Sequence, residues 1–163
     1  MATTPNFGEL HAISNFTFLR GASHPEELVT RAYKLGYQAL AITDECSLAG
    51  VVRAHIAARD HGLHLIIGAE FSLADGPRLV LLATNRQGYG NLSELITQGR
   101  RAADKGTYRL TRADLTSGIP ECLALLIPGL EIDKETVRWF ARTFSGRAWL
   151  AVELLCGPND KTR

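Results

Sequence analysis

What most constrains this chain is the recurrence of short apolar runs, each followed by a segment with helical spacing. The runs are 38–43 (QALAIT), 64–68 (HLIIG), 79–83 (LVLLA), 123–127 (LALLI) and 148–155 (AWLAVELL), with a shorter first strand around 8–12. They are nearly continuous rather than alternating, the pattern of strands covered on both faces in a parallel sheet. Between them, Ser23-His24-Pro25-Glu26 reads as a capping box with proline in the first turn, so a first helix is expected with Leu28, Ala32 and Leu35 inward and Gly36 at its end. A second helix is predicted over about 48–61, with Leu48, Val52, His55 and Ile56 on one side and Gly62 as a left-handed cap. Asn91 is the expected cap of a third, with Leu92, Leu95 and Ile96 inward, and Asp133 of a fourth, where Val137, Phe140, Ala141 and Phe144 repeat at helical spacing. The span 105–118 departs from the pattern and reads as a loop with one helical turn at 112–115, capped by Thr111. Strand-helix alternation implies right-handed crossovers and an α/β architecture, either an open doubly wound sheet or part of a (β/α) barrel.

With 163 residues, 45% of them hydrophobic, the chain is long enough to bury one substantial core. A formal net charge of +1 leaves nucleic-acid affinity to a local patch, since the average field is close to zero. Cys46, Cys122 and Cys156 are widely spaced without a CxxC pair, which argues against a disulfide framework and a zinc ribbon and for reduced thiols. MATTPNFGEL lacks the basic start and apolar stretch of a signal peptide, and no apolar run approaches the ~20 residues that cross a bilayer, so a cytoplasmic setting with no membrane partner is expected. The one dense basic stretch, Arg100, Arg101, Lys105, Arg109 and Arg112, suits either a phosphate or acidic partner or a solvated helix end complementing the helix dipole, and the second is favoured. Trp139 and Trp149, with Phe140 and Phe144, fall in helix and strand patterns and are expected in the core.

Ligands of parallel α/β folds gather at the carboxyl ends of the strands. That rule selects His11 after the first strand, Asp44 and Glu45 after the second, and Glu70 after the third. A histidine with carboxylates suits a divalent metal that activates water against a phosphoester. Read singly, each is an ordinary residue of its place: a turn or cap aspartate, a hydrogen-bonded strand-end glutamate, a core histidine. On the residues alone that reading carries more weight.

The segments ELHAISNFTFLRGASHPEELVTRAYKLGYQALAITDECSLAGVVRAH, GLHLIIGAEF and LVLLATNRQGYGNL occur in an order that resembles the amino-terminal PHP (polymerase and histidinol phosphatase) domain of bacterial C-family DNA polymerases. The wording SNFTFLRGASHPEEL and ITDECSLAGVVRAH is similar to the error-prone, ImuC-type branch. The resemblance covers nearly the whole chain. It implies a PHP-type distorted (β/α) barrel related to a seven-stranded TIM-like barrel, here truncated, with residues 1–163 forming the N-terminal PHP domain of a longer polymerase chain.

Members with a working site carry His-x-His, an aspartate before Gly-Ala, Thr-Asp-His, and a glutamate after the third strand. His11, Asp44 and Glu70 match this pattern, whereas Ile13 stands at the second histidine, Arg20 at the aspartate, Glu45 at the histidine of Thr-Asp-His, Arg78 at a further histidine and Gly129 at a cysteine. Isoleucine removes a donor and two arginines bring fixed positive charge toward a cation's place, so a vestigial site is expected, with Arg20 and Arg78 pairing with Glu70, Glu45 or Asp44. No catalytic residue, metal or cofactor is expected in this domain. The implied full-length protein is a DNA-directed DNA polymerase, a nucleotidyltransferase of damage-induced mutagenesis and translesion synthesis, with magnesium in a palm domain outside this chain. Its implied partners are DNA, a sliding clamp and an ImuB-type accessory protein. An exposed last strand also makes dimerisation through a sheet edge an expectation. The alternatives are a free-standing metal-dependent phosphoesterase or 3'-5' exonuclease using His11, Asp44 and Glu70, and an interaction module using the basic stretch.

Overall fold

The computed structural model describes residues 7–129 and 133–152. Six strands form one sheet in the order β1-β2-β3-β4-β5-β6: β1 (Gly8–Ala12), β2 (Ala39–Ile42), β3 (His64–Ser72), β4 (Arg78–Ala83), β5 (Cys122–Ile127) and β6 (Ala148–Leu150). The helices are α1 (Pro25–Lys34), α2 (Val51–His61), α3 (Arg86–Arg101) and α4 (Lys134–Thr143), with a short 3-10 turn at Arg112–Leu115. The sheet curls into a half-barrel with the α/β architecture expected. The rest of the last predicted run, residues 153–155, and Cys156 lie outside the described residues.

The sheet is mixed, which corrects the expectation of an all-parallel one. β1, β2 and β3 run parallel, but β4 is antiparallel to both β3 and β5, and β5 and β6 are again parallel. Residues 73–77 (LADGP) are too few for a crossover, so β3 folds straight back into β4. After β4, α3 carries the chain away and residues 102–121 bring it back. The Thr84 amide donates to the Glu121 carbonyl at 3.0 Å, so β5 starts where β4 ends.

Three apolar clusters fill the layers. Phe71, Leu79, Leu81 and Leu126 meet Leu92, Leu95, Phe140 and Phe144 on the α3 and α4 side, and Leu40 and Ile42 meet Val29, Ala32, Ala54 and Ala58 on the α1 and α2 side. Ala41, Val80, Leu82, Leu125 and Ile127 line the concave face.

Several local expectations shift. The N-cap of α1 is His24, not Ser23: its amide donates to the Glu27 carboxylate that reaches back at 2.7 Å, and Val29 rather than Leu35 is buried. α3 begins six residues earlier than Asn91, because the Asn85 side chain accepts from the Gly88 amide at 3.0 Å; Asn91 lies within the helix and donates to the Pro120 carbonyl. In α2, Val51, Ala54 and Ala58 face inward, while Val52 is 68% and Ile56 48% exposed. In α4, Asp133 caps as expected and Phe140 and Phe144 are buried, but Val137 and Ala141 are exposed. Trp149 is exposed too, so it is not a core residue. The Gly62 cap is left-handed, at φ 68°, and Thr111 caps the 3-10 turn, both as read from the sequence.

Candidate functional site

Parallel pairing of β1, β2 and β3 puts their carboxyl ends side by side, and there His11, Asp44, Glu45 and Glu70 converge. β1 carries one extra residue between Glu9 and Ala12 relative to β2, and a bulge of this kind re-aims a side chain. The His11 ring reaches β3, where Nε2 donates to Oε2 of Glu70 at 2.7 Å. The strand-end turn is tied down by its backbone: the Cys46 amide donates to the Glu70 carbonyl at 2.9 Å, bringing Glu45 into a parallel bridge with Glu70.

Glu70 has no solvent exposure at its side chain. Its second partner is Arg20, whose Nη1 donates to Oε1 at 2.6 Å and Nη2 to Oε2 at 3.2 Å, a two-pronged grip. The same Nη1 donates to Oε2 of Glu45 at 2.9 Å. Burial pushes the Glu70 carboxyl upward, but the bonds from His11 and Arg20 outweigh it and hold the group at about 2. The partnership with Glu70 raises the Arg20 guanidinium in turn.

Asp44 is buried but paired with neither arginine. The Ser14 amide and hydroxyl and the Thr17 hydroxyl each donate to it at 2.7 Å, and Thr17 also accepts from the Glu45 amide. Sequence reasoning missed both residues as site members, although a Ser-x-x-Thr spacing just after His11 was there to be read. It also missed Tyr108, whose hydroxyl donates to Oε1 of Glu45 at 2.8 Å and accepts from the Ser72 amide. Burial pushes the Tyr108 phenol up, so it remains a donor at neutral pH.

The other named positions fall as follows. Ile13 is half-buried and contributes no donor. Arg78 stands opposite Ser72 and Ile127, on the sheet face that Glu70 and Val80 share, and with Gly129 it lines a hollow of about 510 Å³ that also touches Arg112. The bonds to Glu70 and Glu45 described above come from Arg20, His11 and Tyr108. Of the basic stretch, Arg100 donates to the Cys46 carbonyl at 3.0 Å and lies 5.6 Å from the Tyr108 ring centre, and Arg112 lies 5.0 Å from that of Trp139 and donates to Thr136 at 2.8 Å. Both are spent inside the fold. Cys46 and Cys122 are buried free thiols, pushed up to about 11 by burial. No helix among the described residues is long and apolar enough to cross a membrane.

A half-barrel with helices outside and strand-end carboxylates gathered at its mouth is the phosphoesterase-like α/β fold. It is similar to the solved structure of a provisionally named metal-dependent phosphoesterase from Bifidobacterium adolescentis, with a TM-score of 0.71 and 14% identity over 91% of this chain and 78% of that one. It is also similar to an amidohydrolase from Chromobacterium violaceum with bound sulfate and no metal, with a TM-score of 0.62 and 16% identity over 88% and 76% of the two chains. At such identities the likeness concerns the fold alone. Residues 9–131 match the PHP domain family, and the chain belongs to it. The error-prone DNA polymerase of Dechloromonas aromatica is 57% identical over 98% of this chain and 16% of its own length. Those of Methylococcus capsulatus and Pseudomonas aeruginosa are 59% and 54% identical, each over 96% of this chain and 15% of their own length. The chain thus spans about one sixth of the length of these curated relatives.

Proposed function

We propose that residues 1–163 form the PHP domain of an error-prone DNA polymerase and serve there as a non-catalytic brace. The identity to error-prone polymerases over nearly the whole chain supports the assignment. In the complete enzyme, nucleotidyl transfer and its magnesium belong to a palm domain outside this chain, and DNA, a sliding clamp and an ImuB-type accessory protein are the partners of the whole. A reading frame that continues past Arg163 into a palm bearing paired carboxylates is the expected finding, and one that does not would remove the assignment.

The observation that carries the brace reading is the Arg20 guanidinium lying against both oxygens of Glu70. A catalytic zinc takes about three protein donors. The residues present do not fit one. Glu70 and His11 are bonded to each other, Arg20 adds a fixed positive charge beside them, and Asp44 spends its oxygens on Ser14 and Thr17. Among the described residues, no three His, Cys, Asp or Glu side chains are grouped to hold an ion. The pocket is therefore closed by charge pairing, and His11, Asp44 and Glu70 are vestiges of a metal site. Elemental analysis of the purified protein should find less than stoichiometric zinc and manganese, and assays on small phosphoesters and single-stranded DNA with added manganese should find no hydrolysis above background. Stoichiometric metal together with nuclease activity that Glu70→Ala abolishes would establish a phosphoesterase instead.

A further inference from the structure

The loop that carries Arg20 also carries Phe18 and Leu19, 84% and 90% exposed, the two most exposed large apolar residues described. This loop is not slack. The Asn15 amide donates to the Ser23 carbonyl at 2.8 Å, and the Arg20 and Gly21 amides donate to the Thr17 carbonyl at 3.1 and 2.9 Å. Gly21 packs so tightly that a Cβ there would lie 2.0 Å from the Ser14 carbonyl oxygen. At one end Thr17 is tied to Asp44, and at the other Arg20 is tied to Glu70 and Glu45. Leu19 itself holds a left-handed φ of 64°, a conformation that side chains other than glycine seldom take. A strained backbone, pinned at both ends, thus presents two large apolar groups to water.

We propose that Phe18 and Leu19 form a rigid apolar knob that seats in a hydrophobic recess on the polymerase remainder of the same polypeptide. This rests on the polymerase reading above. The relatives are about six times longer than this chain, so most of such a polypeptide lies outside it and has to meet it somewhere. Two side chains bury on the order of 300–500 Å². Counted on one side only, that is at or below the roughly 500 Å² per partner, about 1,000 Å² in total, that a free partner or second copy needs as a minimum, whereas a covalently tethered body is already at high effective concentration. Nucleic acid fits poorly, because phosphate contacts need available cations, and both terminal nitrogens of the loop's one arginine are committed to carboxylates. The ion pairs that close the old metal pocket would then have a second purpose, since they fix the aim of the residue next to Leu19.

The test uses the full-length polymerase. With Phe18→p-benzoylphenylalanine, irradiation should join residue 18 to a peptide from beyond Arg163 of the same polypeptide. Cross-links confined to residues 1–163, to a second copy or to a DNA substrate would overturn the proposal. A second variant combines Phe18→Ser with Leu19→Gly, which removes both apolar groups while suiting the left-handed backbone, so the loop still folds. Limited trypsin should separate the PHP domain from the remainder several-fold faster in this variant, and an unchanged rate would also overturn the proposal. A reading frame lacking a polymerase would fail the underlying assignment, an outcome distinct from a polymerase that leaves the knob free.

Discussion

At Glu70, burial and hydrogen bonding push the carboxyl in opposite directions, and the bonds win by a margin that stability should report. A carboxyl displaced from 4.5 to about 2 contributes roughly 3 kcal/mol. We discount this to about 2 kcal/mol because the Arg20 side chain is 34% exposed and partly screened. The folded-state value is the lower one, so the contribution is complete above about pH 5 and disappears as the pH falls toward 2. Urea unfolding followed across that window should show a steeper loss for the native chain than for Glu70→Gln, and parallel slopes would contradict the assignment. Arg20→Ala leaves a buried carboxylate with His11 as its remaining ionic partner among those described, and should cost about 2–3 kcal/mol at pH 7, read as a lower urea midpoint. His11 and Glu70 were legible together because strand ends converge in this class of fold, whereas Arg20 was marked only by the family resemblance. Ser14 and Thr17 were local yet overlooked, since a hydroxyl that serves a buried aspartate looks like any loop serine or threonine. Tyr108 had no signal at all, being 63 residues from Glu45 with no motif around it.

The elements show where hydropathy misleads. In α2 the larger apolar residues, Val52 and Ile56, point to water, and the alanines do the packing. α1 and α2 lie together over β2, with Ala32, Ala54 and Ala58 at their contact, and small side chains allow helices to approach closely. A periodicity argument weights large residues and so selected the wrong face. Val52→Lys should stay within about 0.5 kcal/mol of the native chain, while Ala54→Leu should cost about 1–3 kcal/mol through overpacking. Thermal melts of the two variants check this, and the reverse ranking would place α2 the other way round. Strand direction was equally hidden. Continuous apolar runs mark burial on both faces, which β4 has between its helices and the concave cluster although it runs antiparallel to its neighbours. The short LADGP link was the available clue.

Over the whole molecule, the half-barrel leaves β1 and β6 as the outer strands of the described sheet. Between them lies a hollow of about 700 Å³, lined by Leu10, Ile66, Leu82, Leu125, Trp149 and Leu150. Strands with one neighbour and apolar flanks favour pairing with another chain. The 163-residue chain is expected to associate as its concentration rises, and Leu150→Lys should weaken that association. Light scattering showing a monomer at high concentration in both would refute it. The alternation of strands and helices, and hence the α/β class, was plain from the order of the apolar runs. The curl of the sheet was not, because it depends on a hairpin and a long return segment that leave no periodic trace.

Arg20 also bears on how such a pocket could change with time. Exchanging it alone for an acid would set a new carboxylate against Glu45 and Glu70 and remove the charge that balances both. Exchanging Ile13 alone for histidine would add a donor while the guanidinium that repels an ion still lies against Glu70. Under the brace reading proposed above, each step taken singly is uphill, so metal chemistry at this pocket would demand several replacements at once. A fork of five N–H donors would then make this corner of the fold a one-way street for descent.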